Sequence, residues 1–128
     1  MILDGSVIVA IVLREPGSES FLDRLEAATA IGIGTPTLVE AGIVIAARLG
    51  IDAQPVLDRF LRAFDVVRIR FDEAHWRAAL DAYRRYGRGR HPAGLNFGDC
   101  MSYAVAKLSG RPLLYVGRDF SLTDVPSA

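Results

Sequence analysis

Four carboxylates carry the chemistry this chain could perform: Asp4, Glu40, Asp99 and Asp119. Each stands where an apolar stretch gives way to a turn or to the start of a helix. Asp4 closes the run Met1-Ile2-Leu3, and an acid that ends a buried strand needs a partner. Glu40 follows Thr37 by three residues and Asp99 follows Asn96 by three, the spacing of a helix capping box. Taken singly, capping explains Glu40 and Asp99 as well as an active role does, and Asp119 could be an ordinary turn residue. Together they pose an electrostatic problem. Two carboxylates about 5 Å apart, at an effective dielectric of about 20, repel by roughly 3 kcal/mol. No lysine or compulsory arginine is placed in the sequence to offset that repulsion, whereas a hard divalent cation would. An all-oxygen donor set suits Mg²⁺ or Mn²⁺; the single cysteine, Cys100, and two scattered histidines, His75 and His91, do not suit zinc. Ions held this way commonly serve phosphoryl chemistry.

The elements that must position these acids follow from apolar patterning. Met1–Leu3 reads as a strand buried on both faces, and Ser6 is placed to cap a helix carrying Val7, Ile8 and Ala10–Leu13. Gly17-Ser18 starts a second helix with Phe21, Leu22, Leu25 and Ala28 on one face. Ala30–Gly34 reads as a short strand. Thr35-Pro36-Thr37 opens a long helix to Leu49, stopped by Gly50, with Pro near the start and Gly past the end. That helix is otherwise apolar around Glu40, which predicts a walled-in acid. Asp52 begins a helix with Val56, Leu57, Phe60, Leu61 and Phe64 inward. Val66–Phe71 alternates as an edge strand with Val67, Ile69 and Phe71 on the inner side. Asp72 caps a helix whose inner stripe is Trp76, Ala79, Leu80 and Tyr83. A Gly-, Arg- and Pro-rich loop, residues 87–95, leads to a helix from Asn96 to Ser109, stopped by Gly110. Leu113–Val116 is a strand, and the tail from Gly117 adds a last short one. Strands alternating with helices predict a three-layer α/β/α domain around a mostly parallel central sheet of four or five strands. In such a sheet all four acids belong to one edge, because strands end where their flanking helices begin.

Bulk properties set wide bounds. The 128 residues suit one domain with its own core, and 51% hydrophobic with 23% charged residues is ordinary for a globular chain. No apolar run is long enough to span a membrane and no signal peptide is evident, so the expected location is the cytoplasm. Net charge is zero, so overall charge does not announce a nucleic-acid partner. The segment Arg84–His91 nevertheless carries four arginines and no acid.

The residues resemble those of the PIN-domain ribonucleases, specifically the VapC-type toxins of bacterial toxin–antitoxin pairs. The resemblance runs through Met1-Ile2-Leu3-Asp4 with Ser6, Pro36–Glu40, Tyr86–Cys100 and Gly117–Asp124; Leu95-Asn96-Phe97-Gly98-Asp99-Cys100 is its most specific part. It implies metal-dependent hydrolysis of RNA by a cluster of acids. Carried over, Asp4, Asp99 and Asp119 hold Mg²⁺ or Mn²⁺, and Glu40 is a ligand or the base for the attacking water. Ser6 and Asn96 support the cluster. The implied products carry 5′-phosphate and 3′-hydroxyl ends, and the implied partners are RNA, a small cognate antitoxin and a second copy of the chain. Two departures stand out: Gly5 loosens the turn beside Asp4, and Arg118 puts a positive charge beside Asp119.

Arg88 and Arg90 are the best candidates for RNA phosphates. His91 could join them or act as an acid, though a solvated loop histidine explains it more simply. Cys100 reads as a small packed residue, Trp76 as core and His75 as surface; Tyr83, Tyr86 and Tyr103 are core, interface or base-stacking residues. The apolar faces Ile43–Ile45 and Phe60–Phe64 close the core or meet a partner. Competing functions are a DNA-directed nuclease or phosphatase on the same acids and a catalytically silent binding module. A receiver-type phospho-acceptor is disfavoured because Lys107 lies inside a helix.

Overall fold

The computed structural model describes residues 1–128. Four strands form one sheet: β1 (Ile2–Leu3), β2 (Gly32–Gly34), β3 (Val67–Ile69) and β4 (Leu113–Leu114). Six α-helices connect them: α1 (Gly5–Val12), α2 (Ser18–Ala27), α3 (Thr35–Leu49), α4 (Gln54–Ala63), α5 (Glu73–Tyr86) and α6 (Phe97–Ser109). Every strand pair is parallel and the order is β3-β2-β1-β4. The chain therefore builds outward from β1 through β2 to β3, then returns to place β4 on the other side of β1. That reversal opens a crevice at the carboxyl ends of β1 and β4.

Successive strand residues face opposite sides of the sheet. Ile2 and Leu113 pack into a core shared with Ala79, Ala82, Tyr103 and Ala104 of α5 and α6. Leu3 and Leu114 enter the opposite core, with Val7, Leu25, Ile45 and Phe60 of α1–α4. The result is the predicted three-layer α/β/α arrangement. Gly34 lets α6 close onto β2, since a methyl there would meet Val105 Cγ2 at 2.7 Å. No helix is long and apolar enough to cross a membrane.

Several local expectations are corrected. Asp4, not Ser6, caps α1: its carboxylate accepts from the Ser6 amide at 3.1 Å. Gly5 lies within α1, not in a turn, and is buried against Thr37 and Ala41. β2 and β4 are shorter than the apolar runs that announced them. α4 starts at Gln54, with the Asp52 carboxylate accepting from the Gln54 amide. On β3, Val66 is buried and Val67 faces solvent, while Ile69 and Phe71 pack against the core. The inner stripe of α5 is Ala79, Ala82 and Tyr86; Trp76, Leu80 and Tyr83 are exposed, so Trp76 is not core. On α3, Ile45 is buried but Ile43 is exposed, and α4 buries Phe60 and Leu61. His75 completes a capping box with Asp72 at the start of α5. The tail forms a 3₁₀ turn at Asp119–Leu122 and then a single parallel bridge, Leu113 to Ser127, in place of a fifth strand.

Candidate active site

The end of β1 delivers Asp4 into the crevice, and the side chain is buried to 5% exposure. Both carboxylate oxygens are held by hydroxyls. Ser6 Oγ donates to Oδ2 at 2.5 Å, and Ser102 Oγ donates to Oδ1 at 2.6 Å from the second turn of α6. Ser6 Oγ also accepts from the Val116 amide at 3.0 Å, tying the ends of β1 and β4 together. Thr37 Oγ1, buried at the start of α3, lies 3.3 Å from Ser102 Oγ and extends the hydroxyl network. Neutral hydroxyls fix the carboxylate's orientation without cancelling its charge.

Asp99 stands in the first turn of α6 and makes the capping box its spacing predicted. Its Oδ2 accepts from the Asn96 amide at 3.0 Å, and Asn96 Oδ1 accepts from the Asp99 amide at 2.9 Å. Capping is not its whole environment. Burial, together with the charges of Asp4 and Asp119, pushes its carboxyl up to about 6, against the pull of the Asn96 amide and of Arg88. Glu40 is exposed as a residue, contrary to the walled-in expectation, because Val39 and Ile43 beside it also face outward. Its carboxylate end is a different matter: it lies over Gly98, where any side chain would collide with Oε2. Glu40 is also pushed upward, by burial first and then by Asp4 and Asp99. Glu40 does not take part in capping, since α3 starts from Gly34 without a side-chain cap. Asp119 opens the 3₁₀ turn after β4 and is exposed.

The four acids thus share one edge of the sheet and sense one another electrostatically. Every ion pair in the chain lies elsewhere: on Asp72, Glu73, Asp81 and Asp124. Arg118 makes no ion pair with Asp119. No three acidic, histidine or cysteine side chains converge into a ready-made cation cage. The carboxylates are spread apart, with Asp4 and Asp99 tied back by hydrogen bonds. What fits a divalent cation is the donor chemistry: an all-oxygen set, one member buried, in which no acid is engaged in an ion pair.

The loop that enters α6 is held by backbone bonds, with the Arg88 amide donating to Leu95 O and the Leu95 amide to Tyr86 O. Arg88 and Arg90 are exposed on it. His91 Nδ1 accepts from the Ala93 amide at 3.1 Å and its ring meets Tyr86 edge-on. Cys100 is buried, and burial pushes its thiol up to about 11, which keeps it protonated. Sequence reasoning missed Ser102 and Thr37. The signal for Ser102 was its place one turn after Asp99, as a hydroxyl inside the apolar run Met101–Ala106.

A PIN-domain family model matches residues 1–126. Ribonuclease VapC30 of Mycobacterium tuberculosis is 45% identical over 127 residues, covering 98% of this chain and 95% of the relative. The chain belongs to the PIN-domain family and, within it, to the VapC ribonucleases. Among solved structures, M. tuberculosis VapC20, described as a sarcin–ricin-loop-cleaving toxin, superposes with a TM-score of 0.79 at 17% identity, covering 99% of this chain and 97% of that one. A toxin–antitoxin complex from Klebsiella pneumoniae gives a TM-score of 0.68 at 14% identity, over 94% of this chain and 89% of that one. At those identities the two structures speak for the fold.

Proposed function

We propose that this chain is a divalent-metal-dependent endoribonuclease and the toxin of a toxin–antitoxin pair, its 128 residues working as one domain in the cytoplasm. The observation that carries this reading is the buried Asp4, oriented by Ser6 and Ser102 and engaged in no ion pair, beside an Asp99 whose proton affinity is raised. The names of the VapC ribonucleases it belongs with supply the substrate class. Asp4, Asp99 and Asp119 would hold Mg²⁺ or Mn²⁺, and such an ion would lower the pKa of the attacking water and offset charge on the phosphate. Glu40, its carboxyl raised by its neighbours, accepts the water's proton or completes the ligand set. The Ser6 hydroxyl and the Asn96 amide fix the Asp4 and Asp99 carboxylates in place, as outer partners of metal ligands do. Arg88 and Arg90 bind flanking phosphates from a loop that His91 braces. The Klebsiella complex supports a proteinaceous antitoxin as partner, and a homodimer is the assembly we infer.

The test is cleavage of total RNA by purified, antitoxin-free protein with Mg²⁺ or Mn²⁺, beside EDTA and Asp99→Asn controls. Discrete cuts bearing 5′-phosphate and 3′-hydroxyl ends, lost in both controls, are expected. Ends carrying 2′,3′-cyclic phosphate would mean that the ribose hydroxyl attacks, and this mechanism would be wrong. Cleavage of single-stranded DNA in preference to RNA would replace the substrate class.

A further inference from the structure

Gly98 is a glycine whose backbone does not require one. It lies in the first turn of α6 and takes no left-handed angle, so alanine would suit its backbone and favour the helix. What glycine provides here is space. The three atoms that a methyl would strike all belong to the Glu40 carboxylate: Cδ at 2.5 Å, Oε1 at 2.7 Å and Oε2 closer still. The other glycines inside α-helices differ. A methyl on Gly5 would meet Thr37 and Ala41 in ordinary contact, and one on Gly42 would press on Leu57. Gly98 alone faces a charged group, and it is buried although Glu40 as a residue is exposed.

The seam between α3 and α6 brings the two residues together. Gly34 meets Val105, Thr37 Oγ1 lies 3.3 Å from Ser102 Oγ, and Glu40 over Gly98 is the next rung, one helical turn further along each helix. That seam fixes the Glu40 backbone but not its carboxylate, which takes part in no ion pair and no helix cap. A long side chain between exposed Val39 and Ile43 has open solvent as its alternative, where it would keep its rotamer freedom. We propose that Gly98 is a positioning residue, whose missing side chain seats the Glu40 carboxylate against the first turn of α6, next to Asp99. The positive end of the α6 peptide dipoles lies in that turn and favours an acid there. The inference rests on the ribonuclease reading and sharpens it: Glu40 acts from a niche that residue 98 holds open.

The experiment is a double-mutant cycle of Glu40→Ala and Gly98→Ala, read in RNA cleavage with Mn²⁺ and in metal-free thermal melts. Each single variant is expected to lower kcat about a hundredfold, with KM for RNA unchanged. The double variant should be no slower than either, because the methyl acts by expelling a carboxylate that is already gone. In the melts, Gly98→Ala added to the Glu40→Ala protein should raise Tm, since alanine favours the helix and meets no carboxylate. If Gly98→Ala alone lowers Tm, Glu40→Ala must restore it, because shortening residue 40 removes the collision. A loss of stability that persists in the double variant would overturn the proposal. So would wild-type cleavage by Gly98→Ala, or losses that multiply in the double variant, which would make residue 98 a clearance for the substrate itself. In those cases the wild-type protein still cuts RNA and the ribonuclease reading stands. If the wild type cuts none, that reading and the positioning role fall together.

Discussion

Helix α6 carries two acidic environments that its own residues treat in opposite ways. At its first turn burial, and after it the charges of Asp4 and Asp119, push the Asp99 carboxyl up to about 6. Further along, Tyr103 and Lys107 meet Asp124 of the C-terminal tail: the Tyr103 hydroxyl donates to one oxygen and Lys107 Nζ to the other, each at 2.7 Å. Arg85 adds its charge at 3.6 Å. Although burial works against it, those bonds and charges hold Asp124 down to about 2. One cluster completes its electrostatics within the chain and fastens the tail to the helix. The other gathers carboxylates, holds Asp4 with neutral hydroxyls and Asp99 with a backbone amide, and makes no ion pair. Unmet charge, maintained by burial and fixed geometry, distinguishes a site awaiting a ligand from a structural clasp.

The largest effect that tests this contrast is on activity. Asp4→Asn or Asp99→Asn should lower RNA cleavage by at least about a hundredfold, while Asp124→Asn leaves the rate nearly unchanged; comparable losses in all three would erase the distinction. Ser102→Ala should come next, weakening metal affinity or activity about tenfold or more by releasing Asp4 Oδ1. Metal titration calorimetry beside the cleavage assay would register it.

Stability should then move in opposite directions. Folded Asp99 binds its proton more tightly than an unfolded aspartate, so its ionisation costs stability progressively from about pH 4 to about pH 6 and fully above that. In metal-free thermal melts at pH 7.5, Asp99→Asn should gain about 1–2 kcal/mol, allowing for partial solvent screening, and gain nothing at pH 4. Metal affinity should fall with pH below about 6 as protons compete for that carboxylate. Asp124 has the opposite sign: its contribution is present above about pH 4 and fades as pH falls through about 2. Asp124→Asn should therefore cost about 1 kcal/mol at neutral pH. The smallest change is Gly5→Ala. A methyl there sits 3.5 Å from Thr37 Cγ2 in ordinary contact, and the helix should gain about 0.5–1 kcal/mol in denaturant unfolding without loss of activity.

Much of this protein was legible in its residue order, and the limits of that legibility are physical. The helix Thr35–Leu49 was readable because Pro36 and Gly50 punctuate it locally, Gly50 taking the left-handed turn at φ 64°. The Asn96–Asp99 capping box was readable for the same reason, both partners lying within one turn. That the acids share an edge followed from alternation alone, since a parallel sheet puts every strand end and helix start on one side. Which face of α5 turns inward did not follow. Its apolar residues circle much of the helix, and small Ala79 and Ala82 are buried because α6 packs close, leaving Trp76, Leu80 and Tyr83 outside. The Ser102 and Thr37 hydroxyls reach Asp4 and each other across 98 and 65 residues of chain, a partnership no local pattern encodes. Sequence determined most of the elements, the caps of α5 and α6 and the set of acids, because those depend on neighbours a few residues apart. Tertiary structure alone decided how Asp4 is gripped, that Glu40 lies over Gly98 and which aromatics stay in solvent, because those depend on helices brought together by the sheet between them.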